Sequence, residues 1–312
     1  MNIDCIYVAC HRGDIRLARI LVASIRQWHP RIPIHLVKDE HPGRFTTQEM
    51  EALWNVDVFQ TNRRHFGWGW GKLEPLFLEY GQRCLILDSD ILFVGPVLDT
   101  LNHCEEDFVV SPEDTPDPRS KWFKATYYDY EKLGLMDPTF TYPGLTFNSG
   151  QILARTGILK RDDFRGLVFW DGVAPVHSYR EVFSCSDQGI MNYVLAKMAQ
   201  RSKLTLGKCQ FMVWPKSREA TELDISRIKS GAGYPFLLHW AGLQRTRLKN
   251  MLLSDLLEHF ESVYYQRVPF GAIKRGLEAF MFFYLAHKRQ LRVRAGSALA
   301  RWKVRPQEHA VT

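Results

Sequence analysis

The chain lacks the features that would place it among membrane-spanning or disulfide-bonded secreted proteins. Its longest apolar run, Ala279–Ala286, is far shorter than the ~20 residues that cross a bilayer. The N-terminus has neither the basic stretch nor the long apolar core of a signal peptide, and it is predicted to form a strand instead. The six cysteines form no C-x-x-C pair, so we expect buried free thiols in a reducing compartment.

Repeat and dinucleotide signatures are missing as well. The chain contains no G-x-G-x-x-G run, no internal repeat and no low-complexity linker, which argues against a dinucleotide fingerprint and against a repeat architecture. It has the composition of an ordinary globular protein, with 46% hydrophobic and 24% charged residues. Its 312 residues are enough for one large domain or two small ones.

The net charge of +7 is concentrated at the C-terminus. Residues 267–312 hold ten Lys or Arg and two Glu, whereas residues 1–266 hold 31 basic and 32 acidic residues. Apolar residues at helical spacing, from Ile273 to Leu285, precede the basic run, and Trp302 lies within it. This pattern predicts an amphipathic helix on an anionic membrane surface. The alternative is a helix that docks on the body and leaves its basic end in solvent.

The first 40 residues predict a strand–helix–strand unit. Ile3–Cys10 is an apolar, β-branched strand, Asp14 is a suitable N-cap for the helix that follows, and Ile32–Val37 is a second strand. This order implies a parallel sheet within an α/β fold. A loop that leads from a strand end into a helix N-terminus is also a natural nucleotide site.

The stretch Leu85–Gly95, LILDSDILFVG, places two carboxylates between apolar runs. The first run reads as a buried strand, and Asp88 and Asp90 cannot lie inside a sheet without a partner, because an unpaired buried charge costs several kcal/mol. We therefore expect the strand to end at Asp88 and both carboxylates to meet a cation. Two carboxylates at the carboxyl end of a strand are suited to bind a divalent ion. The alternative is a solvated turn that carries two aspartates.

Three further segments carry polar side chains next to predicted elements. Lys72 precedes a predicted helix, Leu73–Tyr80, and is either solvated or directed at a ligand anion. An Asn148-Ser149-Gly150 turn precedes a predicted strand, Gln151–Ala154, and can offer an amide and backbone N–H groups to a ligand. Ser186 or Asp187 is expected to cap a helix at Gly189–Met198, a role that leaves Asp187 and Gln188 available for function.

The last segment of this kind is the predicted strand Gly233–Ala241. It carries His239 near its end and is followed by Gly242 and by cations that include Arg245. A single histidine in an apolar run is usually a hydrogen-bonded core residue. Followed by glycine and cations, it is also typical of a site for an anion next to a metal.

Taken in order, these segments resemble the motifs of the GT-A nucleotide-sugar transferases, and most of all those of glycosyltransferase family 8, which includes glycogenin and lipopolysaccharide galactosyltransferases. The resemblance extends over residues 1–249. One departure is the segment Arg245-Thr246-Arg247, where the family usually has Lys-Pro-Trp. The matching blocks are the first strand through Asp14, Lys72, LILDSDILFVG, FNSGQIL, SDQGIMNYVL and HWAG followed by a cation.

The resemblance implies a set of site residues. Asp88, Asp90 and His239 would bind Mn²⁺ or Mg²⁺, and Lys72 would lie near the diphosphate or the donor sugar. Asp187 and Gln188 would lie beside the anomeric carbon and act with Lys72 in catalysis. The remaining residues implied to contact the nucleotide sugar are Cys10, Arg12, Asp14, Asp88, Ser89, Asn148, Ser149, Gly150, Gly242 and Arg245.

The resemblance further implies an α/β GT-A catalytic domain at residues 1–266, followed by the basic tail at 267–312. The expected activity is transfer of a hexose, with retention, from a nucleotide-diphosphate sugar (a UDP-hexose) to a glycan or lipid-linked acceptor. The enzyme would be cytoplasmic, on the inner face of the membrane, and no nucleic-acid partner is expected.

Other functions compete with this expectation. A metal-dependent phosphoesterase or nucleotidyltransferase would also use carboxylates at strand ends, although two-metal enzymes usually have more of them. A nucleic-acid-binding protein could use the basic tail, but the neutral body and the apolar helical face argue against it. A transferase fold that only binds is disfavoured because Asp88, Asp90, Asp187 and His239 are all present.

Overall fold

The computed structural model describes residues 2–41, 43–67, 69–114, 117–241 and 248–281. This part of the chain contains both strands and helices. The strands are β1 (Cys5–His11), β2 (Ile34–Asp39), β3 (Val56–Val58), β4 (Arg83–Asp88), β5 (Ile91–Phe93), β6 (Phe108–Pro112), β7 (Phe147–Arg155), β8 (Val168–Phe169), β9 (Val176–His177), β10 (Leu206–Lys208), β11 (Met212–Val213) and β12 (Leu237–His239). The α-helices are α1 (Ile15–Trp28), α2 (Gln48–Trp54), α3 (Val97–Leu101), α4 (Lys121–Thr126), α5 (Tyr130–Met136), α6 (Ser186–Gln200), α7 (Arg218–Thr221), α8 (Ile225–Lys229) and α9 (Ser254–Gln266). Short 3-10 helices occur at Trp70–Phe77, Arg161–Phe164 and Leu248–Asn250.

The larger sheet of the described chain has seven strands in the order β10-β6-β7-β4-β1-β2-β3. β7 runs antiparallel to both of its neighbours, and the remaining pairs are parallel. Residues of β4 from Cys84 to Leu87 are at most 3% exposed, because helices cover both faces of the sheet, as a parallel sheet requires. The predicted α/β class and the mostly parallel sheet are confirmed.

A smaller sheet adjoins the end of β4. Its order is β11-β12-β5, with β12 parallel to β11 and antiparallel to β5. Ser89 and Asp90 are the two residues that separate β4 from β5, so the chain passes from the large sheet to the small one at the two aspartates. His239, the last residue of β12, pairs with Ile91 of β5.

Several predicted boundaries were wrong. The Asn148–Gly150 segment is not a turn, because β7 begins at Phe147, which pairs with Pro112 across an irregularity in β6. The predicted helix Leu73–Tyr80 is a 3-10 helix, Trp70–Phe77, with Pro75 inside it; proline has no N–H for an α-helical bond. The strand predicted at Gly233–Ala241 is reduced to β12, since Pro235 precedes it and has no ladder donor.

The predicted helix caps were wrong in detail. α1 begins after Asp14, as predicted, but the Asp14 side chain makes no cap hydrogen bond; its carboxylate lies 2.9 Å from Nε2 of His11. α6 begins at Ser186, and the N-cap position is Cys185. Ser186 and Asp187 therefore lie inside the first turn, which leaves the Asp187 carboxylate available for other partners.

The chain divides into two compact units, Met1–Gly242 and Leu243–Thr312. In the described part of the second unit, a helix at residues 271–281 follows α9, and Arg275 Nε donates to Glu261 Oε2 at 2.9 Å. The boundary at residue 266 that separates a catalytic domain from a tail stays a prediction, and the basic run from Lys288 onward lies outside the described residues. None of the described helices is both long and apolar enough to cross a membrane.

Candidate functional site

Polar side chains converge at the edge of the large sheet where β1 and β4 end. Ala9 of β1 pairs with Asp88, the last residue of β4, and β1 ends two residues later at His11. The start of the antiparallel β7 lies at the same edge, and Ser149 of β7 contacts Asp187 in the first turn of α6. This is the edge at which ligands bind in open α/β sheets, and it holds most of the predicted site.

Asp88, Asp90 and His239 form a candidate metal site. One ligand atom from each of the three side chains lies within 4.8 Å of the others. Nε2 of His239 is 3.2 Å from Oδ1 of Asp90, and the backbone N–H of Trp240 donates to the Asp90 carbonyl at 3.0 Å. The pairing of β12 with β5 therefore brings the histidine to the Asp-x-Asp segment.

Gly150 supplies the space beside this triad. A Cβ atom there would lie 2.3 Å from Cε1 of His239 and 2.7 Å from Oδ2 of Asp88. Any side chain would therefore fill the volume between two of the three ligands. Two carboxylates and one imidazole form a donor set for a divalent ion, and the residues present fit such an ion at this position.

Lys72 is buried between two carboxylates and is not solvated. Its Nζ lies 3.1 Å from Oδ1 of Asp88 and 3.0 Å from Oδ2 of Asp187, and Nζ is 3.4 Å from the Ser149 hydroxyl. Burial alone would lower the pKa of the lysine, but the two carboxylates outweigh it and raise that pKa above its usual value. Lys72 therefore stays charged.

The three carboxylates respond differently to this environment. Burial raises the pKa of Asp88, and Lys72 offsets only part of that rise. Burial would also raise the pKa of Asp90 and of Asp187, but His239 lowers the first and Lys72 lowers the second, so both pKa values lie below the usual range. Asp187 is therefore held ionised at neutral pH.

Gln188 and Asn148 form a hydrogen-bonded pair next to Asp187. The Asn148 side-chain amide donates to Gln188 Oε1 at 2.9 Å, and the Gln188 amide donates to the Thr126 carbonyl at 3.0 Å. Asn148 Oδ1 accepts from the Gly150 N–H at 2.8 Å. Both amides are therefore held in fixed orientations at the start of β7 and α6.

Three of the residues implied to contact the nucleotide sugar, Cys10, Arg12 and Asp14, lie at or just after the end of β1. The Cys10 side chain is buried, and burial raises the pKa of its thiol to about 12. Arg12 is exposed and extends toward Gly43, whereas Asp14 is buried against His11. Ser89 is buried in the turn after β4, and Gly242 and Arg245 lie outside the described residues.

Three residues near the site were not predicted. Trp214 stacks on His239, with ring centroids 5.5 Å apart and an interplanar angle of 19°. Glu113 accepts a hydrogen bond from the Tyr127 hydroxyl and lies close to the Trp214 indole. A Cβ atom at Gly69 would lie 2.7 Å from the Asp187 carboxyl carbon. The sequence shows Glu113 only as one of several acids in a proline-rich loop, and no local pattern marks Trp214.

No protein-family model matches the chain, and no curated protein matches it. Several solved structures are similar to the chain. The galactosyltransferase LgtC, in complex with donor and acceptor sugar analogues, is 17% identical with a TM-score of 0.54, and the match covers 85% of this chain and 96% of LgtC. An active-site mutant of LgtC is 18% identical with a TM-score of 0.51 over 83% of this chain and 94% of that one.

The bifunctional glycosyltransferase WbbM is a third similar structure. It is 13% identical with a TM-score of 0.53, and the match covers 85% of this chain but 52% of WbbM. Each of these matches extends over most of the present chain, and sequence identities this low establish a shared fold rather than a shared activity. The chain has the GT-A fold that its sequence predicted.

Proposed function

We propose that this protein is a metal-dependent glycosyltransferase that moves a hexose from a UDP-sugar to a glycan or lipid-linked acceptor, with retention of anomeric configuration. The observation that carries the proposal is the placement of the Asp88–Asp90–His239 triad against the Lys72–Asp187 pair at one edge of the sheet. The similarity to LgtC, whose structure was determined with donor and acceptor sugar analogues, supports the choice of substrate class.

The triad would hold Mn²⁺ or Mg²⁺ next to the donor diphosphate. A divalent ion bound there stabilises the negative charge that develops on the leaving nucleoside diphosphate. Lys72 adds a second positive charge at the same edge. Because Asp88 and Asp187 hold Lys72 in its charged form, its contribution is electrostatic.

Asp187 and Gln188 would face the sugar. An ionised Asp187, with its carboxylate fixed by Lys72 and Ser149, can stabilise the positive charge that develops at the anomeric carbon. Its lowered pKa makes it a poor general acid. Gln188 and Asn148 would orient the sugar hydroxyls through amide groups that are already hydrogen-bonded to each other. We assign no covalent nucleophile.

The nucleoside end of the donor would lie over the end of β1. Arg12 and Asp14, with Cys10 and Ser89, are the residues that we propose for base and ribose contacts. Gly150 and Ser149 would line the sugar pocket. Gly242 and Arg245 follow β12 in the sequence, and Arg245 would bind the diphosphate bidentately.

A phosphoesterase or nucleotidyltransferase remains the competing enzyme class. Within the described residues, one group of three candidate ligands is found, Asp88, Asp90 and His239. Two-metal phosphoryl-transfer sites place two ions about 4 Å apart and need bridging carboxylates beyond such a triad. The geometry therefore favours a single ion that binds a diphosphate.

We also propose that residues 267–312 attach the protein to the cytoplasmic face of an anionic membrane. Within the helix at 271–281, Ile273, Leu277 and Phe280 are 65%, 62% and 65% exposed, and their spacing places them on one face. The ten basic residues of this segment supply the complementary charge. Full-length Leu277→Glu should bind anionic vesicles less than wild type, and equal binding would contradict the proposal.

The test of the catalytic proposal is slow donor hydrolysis across a panel of nucleotide sugars, with and without Mn²⁺. Metal-dependent turnover of one donor would establish transferase chemistry and name the sugar. Turnover of a phosphomonoester substrate, with no nucleotide sugar hydrolysed, would favour the phosphoesterase. A folded protein that hydrolyses neither substrate class would contradict the proposal of an enzyme.

A further inference from the structure

The small sheet places an aromatic ring on the metal-ligand histidine. β11 and β12 are parallel, and Val213 pairs with Leu238. The residues that follow this pair, Trp214 and His239, therefore lie side by side on one face of the sheet. Their rings are nearly parallel, 19° apart, with centroids at 5.5 Å. The indole face lies against one side of the imidazole and restricts tilting of that ring out of its present plane.

The orientation of the His239 ring matters because only one of its nitrogens faces the carboxylates. Nε2 lies 3.2 Å from Asp90, and Nδ1 is buried with no hydrogen-bond partner among the described residues. In most metal sites, the second ring nitrogen donates to a carboxylate or carbonyl, and that bond fixes the ring. At His239, contact with the indole face takes the place of such a bond.

Trp214 is in turn held by Glu113. The Glu113 carboxylate accepts a hydrogen bond from the Tyr127 hydroxyl and lies close enough to the Trp214 indole N–H to interact with it. Tyr127 is fully buried, and the backbone N–H of Glu113 donates to the Thr146 carbonyl at 2.9 Å. The carboxylate is therefore anchored to the core on one side and to the indole on the other.

We propose that Trp214 and Glu113 are positioning residues that hold the His239 imidazole in the orientation that binds the divalent ion. Glu113 fixes the indole plane, and the indole plane fixes the imidazole. This inference rests on the proposed function, since it assumes that Asp88, Asp90 and His239 bind a metal. It assigns roles to two residues outside the Asp-x-Asp and histidine motifs.

The test is Mn²⁺ affinity, measured as the loss of the free Mn²⁺ signal in electron paramagnetic resonance, with Mn²⁺ alone and with Mn²⁺ plus UDP. Loss of a residue that orients a metal ligand weakens metal binding by about 10–100-fold, and we expect this for Trp214→Ala. Trp214→Phe keeps an aromatic face on His239 and should lose less affinity. Glu113→Ala should also weaken binding, because the indole is released.

A double-mutant cycle shows whether Glu113 acts on Mn²⁺ binding through Trp214 (a relay) or whether the two residues act independently. If Glu113 acts through Trp214, Glu113→Ala should weaken Mn²⁺ binding in the wild-type background and add little in the Trp214→Ala background. Additive losses would overturn the relay. Thermal unfolding of each variant identifies those that fail to fold, and for these Trp214→Phe and Glu113→Gln provide milder changes.

Trp170→Ala is the matched control. Its indole packs against Phe77 and Phe164, and its loss should destabilise the fold without changing Mn²⁺ affinity. Wild-type affinity in Trp214→Ala would overturn this inference and leave the proposed function intact. Failure of wild type itself to bind Mn²⁺, with or without UDP, would overturn the proposed function first.

Discussion

Nζ of Lys72 lies 3.0 Å from Oδ2 of Asp187. This contact joins the first turn of α6 to the metal triad, because the same ammonium group lies 3.1 Å from Asp88. The site is therefore one electrostatic unit, in which a buried cation separates two carboxylates that would otherwise repel each other. Its behaviour should depend on which positive charge, that of the lysine or that of a metal, neutralises Asp88.

Removal of the buried cation should destabilise the protein in a metal-dependent way. Lys72→Met leaves Asp88 and Asp187 without their partner, and breaking a buried ion pair in this way costs about 3–5 kcal/mol of unfolding free energy. If Mn²⁺ binds the triad as proposed, it adds positive charge to the native state and should restore part of that stability. Chemical denaturation with and without Mn²⁺ measures both effects.

Lys197→Met is the control for this experiment. Lys197 pairs with Asp137 away from the triad, so this variant should be destabilised without selective recovery in Mn²⁺. Mn²⁺ bound to the intact triad of Lys197→Met should stabilise that variant no more than it stabilises wild type. Equal recovery of the two variants would therefore contradict the assignment of Lys72 to the metal-binding unit.

A methyl group at Gly150 should disrupt the triad. In Gly150→Ala the added Cβ would lie 2.3 Å from His239 and 2.7 Å from Asp88, so one ligand must move. We expect Mn²⁺ affinity to fall about 10-fold or more, measured by calorimetry. Gly134→Ala is the control, since a Cβ there meets nothing within 4 Å and alanine in a helix adds about 0.5–1 kcal/mol of stability. Unchanged affinity in Gly150→Ala would place the metal elsewhere.

A second glycine tests the role of Asp187. Gly69 has φ of +83°, and a Cβ there would lie 2.7–2.8 Å from the Asp187 carboxylate. Gly69→Ala should therefore lower kcat for donor turnover. Gly231→Ala carries a matched backbone penalty of about 1–2 kcal/mol, since its φ is +84° with nothing within 4 Å of the added Cβ. If the two variants lost stability and kcat equally, strain alone would account for the loss.

Asp137 should support the fold and leave the chemistry unchanged. Burial would raise its pKa, but hydrogen bonds from Lys197, Tyr193 and Thr139 outweigh it and hold the pKa well below its usual value. Because the pKa of Asp137 is lower in the folded state, its ionised carboxylate stabilises the fold at pH values above the pKa of Asp137 in the unfolded chain, about 4. That stabilisation is lost as the pH falls through the folded-state pKa of Asp137.

Asp137→Asn should therefore reduce unfolding free energy by about 3 kcal/mol at pH 7, with the difference from wild type shrinking below about pH 4. Urea denaturation across pH measures this difference. Glu222→Gln, in the exposed pair with Arg218, should change stability by less than about 0.5 kcal/mol. A difference between wild type and Asp137→Asn that does not shrink at all as the pH falls below about 4 would contradict the account.

Local patterns predicted the parts of the structure that depend on neighbouring residues. The β1–α1–β2 unit, the end of β4 at Asp88 and the order of the motifs follow from apolar runs and their polar ends. The start of β7 at Phe147 does not follow from such a local pattern, because it depends on pairing with Pro112 across the sheet. A strand that continues through Asn148 and Gly150 has the local composition of a turn.

The least predictable features are contacts between distant segments. Lys72 was expected to face solvent or a ligand, and its burial depends on Asp187, which α6 brings to it. The stacking of Trp214 on His239 depends on the register of β11 and β12. The sequence does not indicate either contact, since tryptophan and lysine are common in both structural and functional positions.

The most direct test of the central claim is calorimetric titration of UDP into wild type and Asp90→Asn, with and without Mn²⁺. Asp90→Asn removes one charged ligand and preserves the size of the side chain. If Asp88, Asp90 and His239 hold the ion that binds the donor diphosphate, wild type should bind UDP much more tightly with Mn²⁺ than without it, and Asp90→Asn should lose that difference while its metal-free binding is unchanged. A folded Asp90→Asn protein that keeps the full Mn²⁺ dependence would contradict the account.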